Sequence, residues 1–224
     1  MINFIDVGCA DALIKPWRRN KKYINYIVGF DPVGKINYIE EEFEKGKSYR
    51  IAIFNKEGKY PFYICKRTQN SSFLKPNYPI VEEHIRSLNK VKKNDSFEEE
   101  YDNFRIVEII QMECSRLDSI LDKLNINFDF LKVDTQGTEF NVIKSLGKYL
   151  DAQIVGIQAE LCSKIYYKDV VLVDDVTQFL QEHNFYMVKK FYSQNKIYND
   201  YLYLREDKNK KEQIKLIKEI YKIE

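Results

Sequence analysis

At 224 residues, with 36 basic against 34 acidic side chains and a formal charge of +2, the chain suits one α/β domain and lacks the electrostatic footprint of a nucleic-acid binder. Cys9, Cys65, Cys114 and Cys162 stand singly, with no Cys-x-x-Cys pair and no histidine at metal-ligand spacing, which argues against a zinc site or a disulfide framework and for a reducing cytoplasm. No apolar run approaches the ~20 residues that span a bilayer, and the first residues read as a strand, so neither membrane span nor signal peptide is expected.

The first strand is expected at residues 3–7, within Ile2-Asn-Phe-Ile-Asp-Val-Gly-Cys-Ala-Asp11, an apolar run that ends in acids around one glycine. Residues 13–25 read as a helix after Pro16, with Trp17 packed and Arg18 and Arg19 solvated. A second strand at 26–30 ends in Asp31-Pro32, and residues 35–45 carry Ile36, Ile39 and Phe43 at helical spacing. A third strand is expected at 50–54.

Residues 60–112 depart from this alternation: 60–65 is strand-like, 68–79 is polar with two prolines, and 81–88 is helical. The stretch reads as an insertion over the sheet edge, cap-like around 66–104, within a single domain spanning 1–205. Ser115-Arg-Leu-Asp118 has a capping-box pattern ahead of Ile120, Leu121 and Leu124.

The strand at 128–133 then ends abruptly in Asp134, Gln136, Gly137 and Glu139. In an open α/β sheet, strand ends of this kind border the ligand crevice. A helix at 138–150, a strand at 154–160 ending in Glu160, a helix at 173–183 and two strands at 185–191 and 197–204 follow, the last two joined by a turn at 193–196. Strands alternating with helices give a mostly parallel sheet closed by an antiparallel hairpin. The charged tail 206–224 puts Ile214, Ile217, Ile220 and Tyr221 on one helical face, fitting a helix packed on its own domain.

The turn after the first strand has Gly8, but Ala10 and Leu13 stand where a dinucleotide fingerprint has its later glycines. Side chains there obstruct close approach to a pyrophosphate, so NAD is disfavoured. S-adenosylmethionine (SAM) carries an ammonium and a sulfonium that Asp6 and Asp11 can meet, and Asp31 is placed to accept from ribose hydroxyls. The alternative for each acid is turn or helix-cap chemistry. Cys9 reads as a small buried residue in the turn, His183 as a helix-end residue, and His84 as an insertion residue that either reaches an acceptor or, the favoured reading, sits at an exposed helix position.

These residues resemble the FkbM-type SAM-dependent methyltransferases. The likeness rests on Phe4-Ile-Asp-Val-Gly-Cys-Ala-Asp11, Val28-Gly-Phe-Asp-Pro32, Ser71-Ser-Phe-Leu74, Leu117-Asp-Ser-Ile-Leu121 and Phe130-Leu-Lys-Val-Asp-Thr-Gln-Gly-Thr-Glu139. It implies an α/β, Rossmann-like class I methyltransferase sheet of seven strands with an antiparallel last strand. It also implies SAM as methyl donor and O-methylation of sugars, glycans, polyketides or related small molecules, as in polysaccharide biosynthesis.

Asp134 and Glu160 are the candidate catalytic carboxylates. The SAM-binding set is Asp6, Gly8, Cys9, Ala10, Asp11, Asp31 and Pro32, and the acceptor set is Ser71, Ser72, His84, Gln136 and Glu139. A divalent cation on Asp134 stays open without being expected, as does a homodimer. Two competing classes remain: a nucleotide-dependent oxidoreductase, and a noncatalytic binding module with the same fold.

Overall fold

The computed structural model describes residues 1–89, 97–192 and 197–223. Strand β1 (Ile2–Val7) is apolar and buried on both faces because parallel neighbours flank it. The helix expected at 13–25 is instead two 3₁₀ turns, Trp17–Arg19 and Lys21–Tyr23. Leu13 and Trp17, four apart and both buried, imitate a helical stripe, while Pro16 between them denies a helix its backbone donor.

Strand β2 (Ile24–Phe30) pairs in parallel with β1, and the short α1 (Tyr38–Glu42) occupies only the centre of the expected 35–45 helix. The sheet edge is β3 (Gly46–Tyr49), in register from Ile27↔Gly46 to Phe30↔Tyr49. The edge strand therefore ends before the strand expected at 50–54 begins, and that expected strand is reduced to two residues. Its residues Ala52–Ile53 form β4, which belongs to a second sheet. Gly-Lys-Ser-Tyr carries little apolar signal because an edge strand has solvent along one side.

The second sheet, β4-β6-β5, combines β4 with β5 (Gly58–Cys65) and the ten-residue β6 (Ile106–Ser115), antiparallel from Gly58↔Cys114 to Cys65↔Ile106. Between β5 and β6 lie α2 (Tyr78–Asn89) and α3 (Phe97–Asp102). β6 has no counterpart among the expected strands; its Ile109-Ile110 pair interrupts the alternation. Ser115 ends this strand, so the expected capping box does not form: α4 (Leu117–Leu124) starts behind Arg116, whose guanidinium pairs with Asp118.

The main sheet resumes with β7 (Phe130–Val133), beside β1. The single helix expected at 138–150 is two, α5 (Glu139–Ser145) and α6 (Lys148–Ala152), divided at Gly147 with φ +51°. Strand β8 (Gly156–Cys162), α7 (Val173–Glu182), β9 (Phe185–Phe191), β10 (Tyr198–Arg205) and α8 (Lys211–Tyr221) complete the chain. The strand order is β3-β2-β1-β7-β8-β10-β9, with β10 antiparallel to both neighbours. The expected turn at 193–196 lies outside the described residues.

Helices α4, α5, α6 and α7 cover one face of the sheet through Leu117, Leu121, Val142, Ile143, Leu150, Val176 and Leu180. The other face is closed by Trp17, Ile39 of α1 and α8, whose Ile214, Ile217, Ile220 and Tyr221 are buried as the sequence indicates. The Trp17 indole N–H donates to the Tyr221 hydroxyl at 2.7 Å, tying the first crossover to the last helix. Among the described residues no helix is long and apolar enough to cross a membrane.

Candidate active site

The C-terminal ends of β1, β2 and β7 meet the second sheet around a cavity of about 610 Å³, within the range of roughly 300–1,000 Å³ typical of small-molecule sites. Gly8 makes the convergence possible. It has φ +73°, and a Cβ on it would lie 1.7 Å from the Asp134 carbonyl oxygen. Its N–H donates to the Phe30 carbonyl at 2.9 Å, and the Asp134 N–H donates to Val7, so all three strand ends are stitched together.

Asp31, at the end of β2, is only 7 % exposed and uses Oδ1 to accept from the backbone N–H groups of Val33 and Gly34. Among the described residues Oδ2 has no protein hydrogen bond. One oxygen thus builds the loop, and the other is free for a ligand hydroxyl. A Cβ on Gly34 would lie 2.4 Å from Ala10, so the two loops close on each other beside the cavity.

Opposite Asp31, Asp134 lines the cavity with its side chain one-third exposed. The Gln136 amide donates to Asp134 Oδ1 at 2.9 Å and to Glu160 Oε2 at 3.2 Å, and its carbonyl accepts from the Tyr167 hydroxyl at 3.2 Å. This bridge joins the two carboxylates singled out from the sequence. Burial, with the charges of Asp134, Asp200 and Glu139, holds Glu160 well above the usual carboxylate range.

Gly8, Ala10, Asp11, Asp31, Pro32, Ser71, Asp134 and Gln136 all lie on the cavity wall. Asp6, Cys9, Ser72, His84, Glu139 and Glu160 do not. Cys9 is buried against Gly29, its thiol pushed upward by burial. His84 packs edge-on to Tyr166, and burial lowers its imidazole. Ser71 Oγ accepts from the Cys65 N–H and Ser72 Oγ from the Leu74 N–H, so both hydroxyls shape the turn and only Ser71 also faces the cavity.

Glu139 accepts from the N–H groups of Thr135 and Gly137, holding the loop that carries Gln136 at φ +57°. Burial raises its carboxyl to about 7 against the lowering effect of those donors.

Lys132, absent from the sequence-based candidates, lies on the cavity wall at 5 % exposure. Its ammonium donates to the Gly8 carbonyl at 2.7 Å, lies 3.2 Å from Asp6 Oδ1 and 4.0 Å from Asp134 Oδ2. Burial works against that charge, but Asp6 and Asp134 outweigh it and hold Lys132 above its ordinary range. Burial also raises Asp6, opposed by Lys132, and the Tyr38 hydroxyl donates to Asp6 Oδ2 at 3.2 Å. The signal was present in the sequence: a lysine inside an apolar strand is almost never buried without a partner.

No group of three or more His, Cys, Asp and Glu side chains is arranged to hold a metal ion among the described residues. The first crossover also presents no α-helix N-terminus to the Gly8 turn, the feature on which pyrophosphate recognition rests.

Among solved structures, methyltransferase FkbM from Methylobacillus flagellatus KT matches with a TM-score of 0.52 at 11 % identity, over 91 % of this chain and 43 % of that longer one. Magnesium protoporphyrin IX methyltransferase from Synechocystis PCC 6803, with bound SAM, matches with a TM-score of 0.40 at 11 % identity, over 92 % of this chain and 70 % of that one. At such identity the first likeness shows the fold, in agreement with the class I methyltransferase sheet order. No curated protein sequence matches. The family described as the methyltransferase FkbM domain matches residues 8–187, and the chain therefore belongs to the FkbM methyltransferase family.

Proposed function

We propose that the chain is a SAM-dependent O-methyltransferase acting on a hydroxyl of a sugar, glycan or related small molecule. The observation that carries this reading is the pairing, across one cavity, of Asp31 with its unclaimed Oδ2 and Asp134 fixed by Gln136. SAM would supply a methyl group on a sulfonium. Asp31 would hold the donor by accepting from the ribose hydroxyls, and Gly8, Ala10, Asp11 and Pro32 of the cavity wall would bound it.

Methyl transfer to oxygen is an in-line displacement, so the protein must align donor and acceptor and remove the hydroxyl proton. Asp134, on the cavity wall, would take that proton from the acceptor hydroxyl, and Glu160, behind Gln136, would act on Asp134 through the shared amide. Phe62, Phe73, Thr68, Gln69 and Ser71 give the acceptor an apolar platform with neutral polar groups, which suits a sugar ring. We read 66–104 as a cap on a single domain spanning 1–205, with 206–224 as an appended helix. Four unpaired, buried thiols favour a reducing, cytoplasmic setting.

Calorimetric titration with S-adenosylhomocysteine (SAH), with NAD as control, tests the reading. SAH binds and NAD does not. Asp31→Ala weakens SAH binding by about 1 to 3 kcal/mol, the size of a lost charge-assisted hydrogen bond. Binding of NAD alone, or unchanged SAH affinity in the variant, overturns the assignment.

A further inference from the structure

Beneath the cavity, Asp6, Lys132 and Asp134 form a row of alternating charge, and only its last member is substantially open to a ligand. Asp6 is fully buried and Lys132 nearly so, whereas the Asp134 side chain is 33 % exposed. Lys132 leans towards Asp6, at 3.2 Å, rather than Asp134, at 4.0 Å, and its remaining direction is fixed by the 2.7 Å hydrogen bond to Gly8. The Tyr38 hydroxyl anchors Asp6 from the other side. A buried lysine must be paired, but pairing with Asp6 alone would meet that need. What the third member adds is a cation behind a carboxylate that faces the cavity.

We propose that Lys132, held back by Asp6, is a positioning residue that sets how strongly Asp134 favours the sulfonium donor over its thioether product. The proposal rests on the SAM reading of the cavity given above. SAM and SAH share the adenosine, the ammonium and the carboxylate; they differ by a methyl group and one positive charge at sulfur. Their affinity ratio therefore reports the electrostatic environment of that atom. A cation 4.0 Å behind Asp134 partly cancels the carboxylate's pull on a sulfonium. Asp6 in turn keeps that cation from closing on Asp134 and neutralising it. The row is tuned between a site that would hold the charged donor too firmly and one that would not prefer it at all.

Opposite shifts in two variants distinguish this from a purely structural pair. Asp6→Asn keeps shape and the Tyr38 contact but releases Lys132 towards Asp134, so the SAM-to-SAH affinity ratio falls by roughly threefold or more. Lys132→Gln keeps a donor for the Gly8 carbonyl and removes the cation, so the ratio rises by roughly threefold or more. Both affinities are read by calorimetry on the full chain without acceptor, after circular dichroism confirms folding. A structural role lowers both affinities by one factor and leaves the ratio unmoved. A ratio within about twofold of the wild type in either folded variant, or shifts of the same sign, overturns the proposal, and either variant alone decides if the other does not fold. Failure of the wild type to bind SAM and SAH would refute the cofactor reading itself, a distinguishable result.

Discussion

Glu139 shows how one buried carboxylate can organise a site without entering it. It is 2 % exposed, and the backbone donors of Thr135 and Gly137 converge on it, so it sets the loop that aims Gln136 at Asp134 and Glu160. Its carboxyl is raised to about 7 in the folded chain against an ordinary 4.5, so the native state binds the extra proton between those values and stability falls as pH rises through that window. We expect the unfolding free energy of the wild type, relative to Glu139→Gln, to drop by about 3 kcal/mol between pH 4.5 and 7.5. Urea denaturation across that range checks it; a pH-independent difference would contradict it. Asp31 and Asp134 could be picked out in the sequence because acids directly after apolar strands announce themselves, whereas Glu139, expected among the acceptor contacts, opens α5 and lies off the cavity wall. The place of Lys132 among the acids was not legible, because it depends on contacts with Asp6 and Gly8 more than 120 residues away, whereas the turn role of Ser72 and the hold of Glu139 on Thr135 and Gly137 are local contacts.

The β1–β2 crossover and α8 form one packing unit. Trp17 in the first of two 3₁₀ turns and α8, from the other end of the chain, lie side by side on one face of the sheet, where Ile214, Ile217 and Ile220 of α8 join the same buried cluster and Tyr221 packs on Phe130 of β7. Gly156 lets the helix approach: a Cβ there would lie 3.3 Å from Ile217 Cδ1. Truncating this fully buried side chain leaves a cavity at that contact, so Ile217→Ala costs about 2 to 5 kcal/mol, read from the midpoint of urea unfolding. A loss below about 1 kcal/mol would mean that α8 is not part of the core. The α8 pattern could be read from its period alone. The crossover could not, because residues four apart serve successive turns as well as a helix, and β3 escaped notice because an edge strand buries too little to show a pattern.

The molecule joins two sheets of different character, and the cavity lies where they meet. The main sheet supplies Gly8, Asp31 and Asp134 from parallel strand ends, while β4 and β5 supply Ile53 and Phe62 from the second. The parallel core with its antiparallel β10 follows from the alternation of strands and helices. The second sheet did not emerge from the sequence, since β6 pairs with residues some fifty positions earlier. The most direct test of this account is amide hydrogen exchange, read by mass spectrometry with and without S-adenosylhomocysteine. Slowed exchange in residues 8–12, 31–35 and 134–138 together is the predicted result. Exchange unchanged in those three segments, or protection confined to α8, would contradict a donor site at the ends of β1, β2 and β7.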